Sequence, residues 1–177
     1  MISRRQLLLG VAAATASSYA SSSLAKLIVP GDRVLSLYNQ HTGESVKATY
    51  WADGEFIAEE LAAINKVLRD HRTGEVTDID INLLDQLNLL QAKVGSSGRY
   101  EIISAYRSPK SNAKLYQSTE GVATNSYHMY GRAIDVRLPG IELKQLHAAA
   151  INMHAGGVGY YPKSRFIHLD SGDVRRW

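Results

Sequence analysis

The chain reads as a single α+β domain, a mostly antiparallel sheet flanked by helices. Three observations predict this. Short stretches of period-two alternation mark strands, as in Arg33-Val34-Leu35-Ser36-Leu37-Tyr38. Longer stretches with apolar residues three or four apart mark helices. Their order is a hairpin, then two helices, then a sheet with interspersed helices, and no internal repeat or linker divides it. The 177 residues are 45% hydrophobic and 21% charged, enough for one real core.

Residues 26–54 are expected to be extended. Two alternating segments, 33–38 and 45–51, flank Asn39-Gln40-His41-Thr42-Gly43-Glu44, and Gly43 can supply the positive φ of a hairpin turn. Residues 55–71 place Phe56, Leu61, Ile64 and Leu68 at helical spacing, with Gly74 as the stop. A second helix spans 80–94, with Asp80 as N-cap and a stripe of Leu84, Leu87, Leu90 and Val94. Gly95-Ser96-Ser97-Gly98 is a turn, and 100–106 a strand. Ser108-Pro109 opens a short helix to about Gln117, because proline suits the first helical position. Residues 118–127 read as a loop, 133–138 as a strand ended by Pro139-Gly140, and 141–153 as a helix. Two short strands, 158–161 and 165–169, close the fold.

The N-terminus has the form of an export signal. Ser3-Arg4-Arg5-Gln6-Leu7-Leu8 is a twin-arginine pattern, followed by an apolar run too short to span a bilayer comfortably. Cleavage after Ala25 or Ala20 would follow small residues. The chain thus divides into a signal over 1–25 and a domain over 26–177, with a periplasmic destination. No Cys follows the apolar run, so a lipoprotein anchor is excluded. Lys and Arg number 20 against 17 acids, and the signal carries Arg4 and Arg5 but no acid. The remaining domain is nearly neutral and shows no basic stripe, which argues against a nucleic-acid partner.

Without cysteine, any metal site must use nitrogen and oxygen donors. His128 ends the loop, and Asp135 lies seven positions on, in the following strand. A turn through Gly131 can fold that distance back. His168 lies on a later strand, where alternation puts Phe166 and Asp170 on its face. Two imidazoles and a carboxylate can hold a zinc ion and leave a fourth position for water. Spacing alone leaves packed histidines and a surface aspartate as the alternative.

The words around these residues add to the spacing. Ser126-x-His128-x-x-Gly131-x-Ala133-x-Asp135 resembles the first metal motif of D-alanyl-D-alanine metallopeptidases and of the hedgehog zinc fold. His41-Thr42-Gly43-Glu44, Leu68-Arg69-Asp70-His71-Arg72-Thr73-Gly74, Tyr106-Arg107-Ser108-Pro109-x-x-Asn112, Gly156-Gly157-Val158-Gly159-Tyr160-Tyr161-Pro162 and Phe166-Ile167-His168-Leu169-Asp170-x-Gly172 together resemble the YcbK family. This ordered series covers essentially the whole domain. The resemblance implies a zinc peptidase that cleaves stem-peptide cross-links of peptidoglycan at bonds involving meso-diaminopimelate. It leaves open which cross-link is cut, and whether the enzyme is an endopeptidase or a D,D-carboxypeptidase.

By matching positions, His128, Asp135 and His168 are the zinc ligands. Related members carry a base two residues before the last ligand; Phe166 stands there and cannot take a proton. That departure keeps a zinc-containing binding module without turnover as an alternative. Asp170 is the first candidate for proton handling, and the other role open to it is orienting a ligand imidazole. Arg107 is the candidate for stabilising developing negative charge or holding a substrate carboxylate. Asn112 and Ser126 are candidates for hydrogen-bonding the substrate or bracing the loop. Tyr160 is a candidate groove wall. His154 is a lesser candidate for the cleft. His41, His71 and His147 read as structural, and Asp70 and Arg72 as a buried pair.

Overall fold

The structure, a computed structural model, describes residues 31–118 and 123–177. The expected export signal, the start of the first extended stretch and part of the loop before Ser126 lie outside these residues. The described elements run β1 Arg33–Asn39, β2 Ser45–Ala52, β3 Glu55–Phe56, α1 Ala58–Val67, α2 Ile81–Lys93, β4 Tyr100–Ser104, α3 Pro109–Ser118, a 3-10 helix Tyr127–Tyr130, β5 Ala133–Arg137, α4 Leu143–Ile151, β6 Gly157–Tyr161, β7 Phe166–Asp170 and β8 Arg175–Arg176.

All eight strands join one sheet in the order β3-β2-β1-β4-β5-β7-β6-β8. Five of its seven pairings are antiparallel; β1 with β4 and β6 with β8 are parallel. The α+β class and the mostly antiparallel sheet are as expected. The hairpin is not a separate layer, however, because β4 returns beside β1 and continues the same sheet. Two short strands were not anticipated. Phe56 belongs to β3, paired with Trp51 and packed edge-on against its ring, so α1 starts later than its apolar spacing suggested.

Alternation sorts the sheet into two faces. Leu35 and Leu37 of β1, Tyr100 and Ile102 of β4, Ile134 and Val136 of β5, and Ile167 and Leu169 of β7 are buried on one face, in one core with side chains of α1, α2 and α4. Leu83, Leu84, Leu87 and Leu90 of α2 are fully enclosed there; each such burial is worth roughly 1.5–3 kcal/mol. The Asp80 carboxylate accepts from the Asn82 backbone N–H at 2.9 Å, the expected N-cap. The opposite face carries the residues in register with Asp135 and His168.

Polar groups also fasten the layers. Arg33 reaches both oxygens of Asp85 on α2 at 2.8 and 2.7 Å, and the Tyr50 hydroxyl donates to the same carboxylate at 2.9 Å. Both ends of the ion pair are buried. Asp70 is fully buried but does not pair with the Arg72 guanidinium as expected. It accepts instead from the backbone N–H groups of Arg72 and Ser108, tying the turn after α1 to the start of α3. His41 and His71 stack at 3.9 Å, joining the hairpin turn to that same segment.

The Arg33–Asp85 pair yields a stability prediction. Asp85→Ala strands a buried cation and should lower unfolding stability by about 3–5 kcal/mol in denaturant titrations. The double change Arg33→Met with Asp85→Leu removes both charges and should cost clearly less. Equal losses would show that the pair does not clamp α2.

Candidate metal centre

The site is built by register. Asp135 of β5 lies directly opposite His168 of β7 in an antiparallel pair, and their side chains leave the sheet on the same face. The Asp135 Oδ1 to His168 Nδ1 distance is 2.9 Å. His128 arrives from the 3-10 helix just ahead of β5. Ser126 caps that helix by accepting from the His128 backbone N–H. Gly131 ends it in the left-handed region, φ 64°. A Cβ at Gly131 would lie 2.5 Å from the Asp78 carbonyl oxygen, so close approach as well as φ requires glycine. The His128 carbonyl then accepts from the Arg107 N–H at 3.1 Å, locking this helix to the segment after β4.

The donors converge. His128 Nε2 is 3.4 Å from Asp135 Oδ2, and one ligand atom from each of His128, Asp135 and His168 lies within 4.8 Å of the others. Each imidazole is held by its remaining nitrogen. His128 Nδ1 meets the Ala105 carbonyl at 2.7 Å, and His168 Nε2 meets Asp170 Oδ2 at 3.1 Å. A carbonyl only accepts, so His128 carries its proton on Nδ1 and turns the Nε2 lone pair inward. The Asp170 carboxylate selects the other tautomer for His168, with Nδ1 inward. All three residues are at least nine-tenths buried.

The charges match this geometry. Burial pushes the Asp135 carboxyl up, but the two histidines outweigh it and hold the group well below the usual carboxylate range. Burial likewise disfavours the charged His168, yet its hydrogen bonds to Asp135 and Asp170 raise it to about 8. A divalent cation would displace the proton that His168 shares with Asp135, and two inward imidazole nitrogens and one carboxylate would then face it in a desolvated cluster. Two nitrogens and one oxygen, with no thiolate, suit zinc with an open position.

The other candidates fall in three places. Arg107 is buried beside the cluster, bonded to Asn112 Oδ1 and Ser104 Oγ, each at 3.2 Å, with its Nε unpartnered. Burial lowers its pKa while the Asp135 charge opposes this. Asn112 is buried as well, and its amide donates to the carbonyls of Ala123 and Thr124. Asn112 therefore braces both Arg107 and the loop that leads to His128, and Ser126 caps the helix that carries it. Tyr160 does not join the site. It is in register with Ile167, on the helix-covered face, and stacks on His147 of α4 at 4.7 Å. His154 is exposed in a left-handed turn after α4.

Asp170 stands behind His168 and is completely enclosed. Its Oδ1 accepts from the N–H groups of Gly157 and Gly172 and from Arg175, and its Oδ2 from His168 and Arg175. A Cβ on Gly156 would collide with the Asp170 carbonyl, and one on Gly157 with its carboxylate. Sequence reasoning missed Arg175, which holds this group, and Trp177, which lies beside His168. The glycine run 156, 157 and 159 was the available signal, because glycines inside a strand mark close approach by other atoms.

Comparison with known proteins is consistent across the chain. The family model described as peptidoglycan L,D-endopeptidase MepK, of the peptidase M15 type, matches residues 28–177. The Escherichia coli K12 protein named peptidoglycan L,D-endopeptidase MepK is 44% identical over 174 residues, covering 98% of this chain and 96% of the relative. A Haemophilus influenzae protein named "Probable peptidoglycan L,D-endopeptidase MepK" is 38% identical over 175 residues, covering 98% and 94%. With matches of this extent, the chain belongs to the MepK family of M15-type peptidoglycan endopeptidases.

Proposed function

We propose that the chain is a zinc-dependent murein endopeptidase that hydrolyses an L,D peptide bond in peptidoglycan cross-links. The observation that carries this is the convergence of three buried donors, each oriented by a partner, in a member of this family. His128 Nε2, Asp135 and His168 Nδ1 would hold the ion. When bound, zinc polarises a carbonyl and lowers the pKa of a water toward about 7.

The chain's own residues supply the rest. Arg107, desolvated and braced by Asn112, presents a fixed cation where negative charge develops on the scissile carbonyl oxygen. Asp170 acts as the carboxylate that orients His168, since its oxygens are already taken by backbone, imidazole and guanidinium donors. The names of the relatives favour the L,D bond. In peptidoglycan this corresponds to the diaminopimelate-to-diaminopimelate link, formed from an L carboxyl and a D amine. The twin-arginine pattern supports export to the periplasm, where stem peptides are accessible, with residues 1–25 removed. No helix among the described residues is long and apolar enough to cross a membrane.

Three outcomes are expected. His168→Ala and Asp135→Ala should lose both bound zinc, read by elemental analysis, and muropeptide cleavage; a fully active His168→Ala would remove the triad from the mechanism. Asp170→Asn should weaken zinc affinity about 10–100-fold in chelator competition, whereas a general base would leave affinity intact and lower kcat alone. Residues 26–177 with zinc should cut dimers linked through two diaminopimelates, detected as monomers by chromatography. Cleavage confined to dimers linked through D-alanine would overturn the L,D assignment.

A further inference from the structure

Beside the metal centre lies a feature that the mechanism leaves unused. Trp177 follows β8 and lays its indole over Gly159, the strand partner of His168. Its ring centre is 5.2 Å from that of His168. Trp177 is fixed by two backbone hydrogen bonds and one from its ring. Its backbone N–H donates to Val158, its carbonyl accepts from Tyr160, and its Nε1–H donates to the Tyr161 hydroxyl at 2.8 Å. Tyr161 in turn stacks on Phe166 at 4.7 Å. A side chain at Gly159 would strike the indole, so the strand is cut away to seat it. Yet Trp177 remains 50% exposed. An aromatic side chain that is rigidly held but half open is preorganised for contact with something else.

We propose that Trp177, backed by Tyr161 and Phe166, is the subsite that receives the aliphatic arm of the diaminopimelate next to the scissile bond. This rests on the endopeptidase reading above. The distance to His168 selects the occupant. A carbonyl bound at the metal centre places its own residue, or the next one, against the indole. The sugar of the same strand is separated from that residue by two further amino acids, roughly 10 Å of chain. The flat indole face suits methylene groups. Arg175 lies 5.1 Å from the Trp177 ring with 41% of its side chain exposed, and although both its terminal nitrogens hold Asp170, its stem extends the same rim. Phe166 thereby gains a use as part of an apolar wall, where related enzymes keep a base.

The test measures binding and turnover together. A sugar-free peptide dimer linked through two diaminopimelates is added to zinc-free protein and to the zinc enzyme. Its binding should shift tryptophan emission in the wild type and not in Trp177→Phe, which removes this indole and leaves Trp51. Trp177→Ala should raise KM about tenfold with little change in kcat, Trp177→Phe should recover most of the loss, and zinc affinity should stay unchanged in both. Unaltered KM in Trp177→Ala together with no emission response overturns the subsite. Weakened zinc binding at constant KM also overturns it, by making Trp177 a support for His168. An emission response to N-acetylglucosamine oligomers in place of the peptide would overturn the choice of occupant. A wild-type protein that binds the dimer with an emission shift but cuts no cross-link would retain the subsite and sink the endopeptidase reading.

Discussion

The alignment of Asp135 opposite His168 across β5 and β7 is the constraint on which the structure depends. Side chains alternate along a strand, so a slip of one residue would send one partner into the helix-covered core. The apolar residues on the reverse face prevent that slip. Ile134, Val136, Ile167 and Leu169 are all buried under the helices, and their burial fixes the register that aims the polar residues outward. The helical layer thus sets the geometry of a site on the other face of the sheet, and Gln86 of α2 also reaches the Asp170 carbonyl at 3.3 Å. The same logic explains why Tyr160 turns away from the three donors: it shares parity with Val158 and Ile167, not with Gly159 and His168.

Around that pair, the fold spends most of its unusual local geometry on fixing imidazoles. Gly131 reverses the chain tightly against Asp78, so that His128 can approach from the side. The carbonyl of Ala105 and the carboxylate of Asp170 each take the outer nitrogen of one histidine, and this decides both tautomers. Asp170 is itself clamped by Arg175 and two backbone N–H groups, on a floor cleared by Gly156 and Gly157. Arg107 is built into the same assembly, since its backbone N–H holds His128 while its guanidinium leans on Asn112. The three donors and the Arg107 guanidinium therefore share one set of supports, and a change in one brace is felt by several groups.

Much of this was legible in the sequence, for local reasons. Strand alternation, the Asp80 cap, Pro109 at a helix start and Gly43 in the hairpin each express a preference that a few neighbouring residues suffice to state. The three donors could be named because their residue types are restricted and their motifs ordered. What was not legible depended on distant parts of the chain. Phe56 carries helical spacing, but Trp51 recruits it into a strand. Asn112 and Ser126 are polar in a loop region, and only the packed structure shows that they brace and cap the backbone there. Asp70 was given a side-chain partner by proximity, whereas its bonds go to backbone N–H groups, one of them 38 positions away. Nothing near Trp177 in sequence predicts its place beside His168; the glycines of β6 hint at it only once the strand order is known.

On the proposed reading, His128, Asp135 and His168 form one coordination sphere with a vertex left for solvent. Zinc-edge X-ray absorption on the protein loaded with one equivalent of zinc tests it most directly. A four-coordinate ion with two imidazole nitrogens and two oxygens at about 2.0–2.2 Å is expected, and His128→Ala should lose that signature. A six-coordinate, all-oxygen environment, or an unchanged spectrum in that variant, would contradict it.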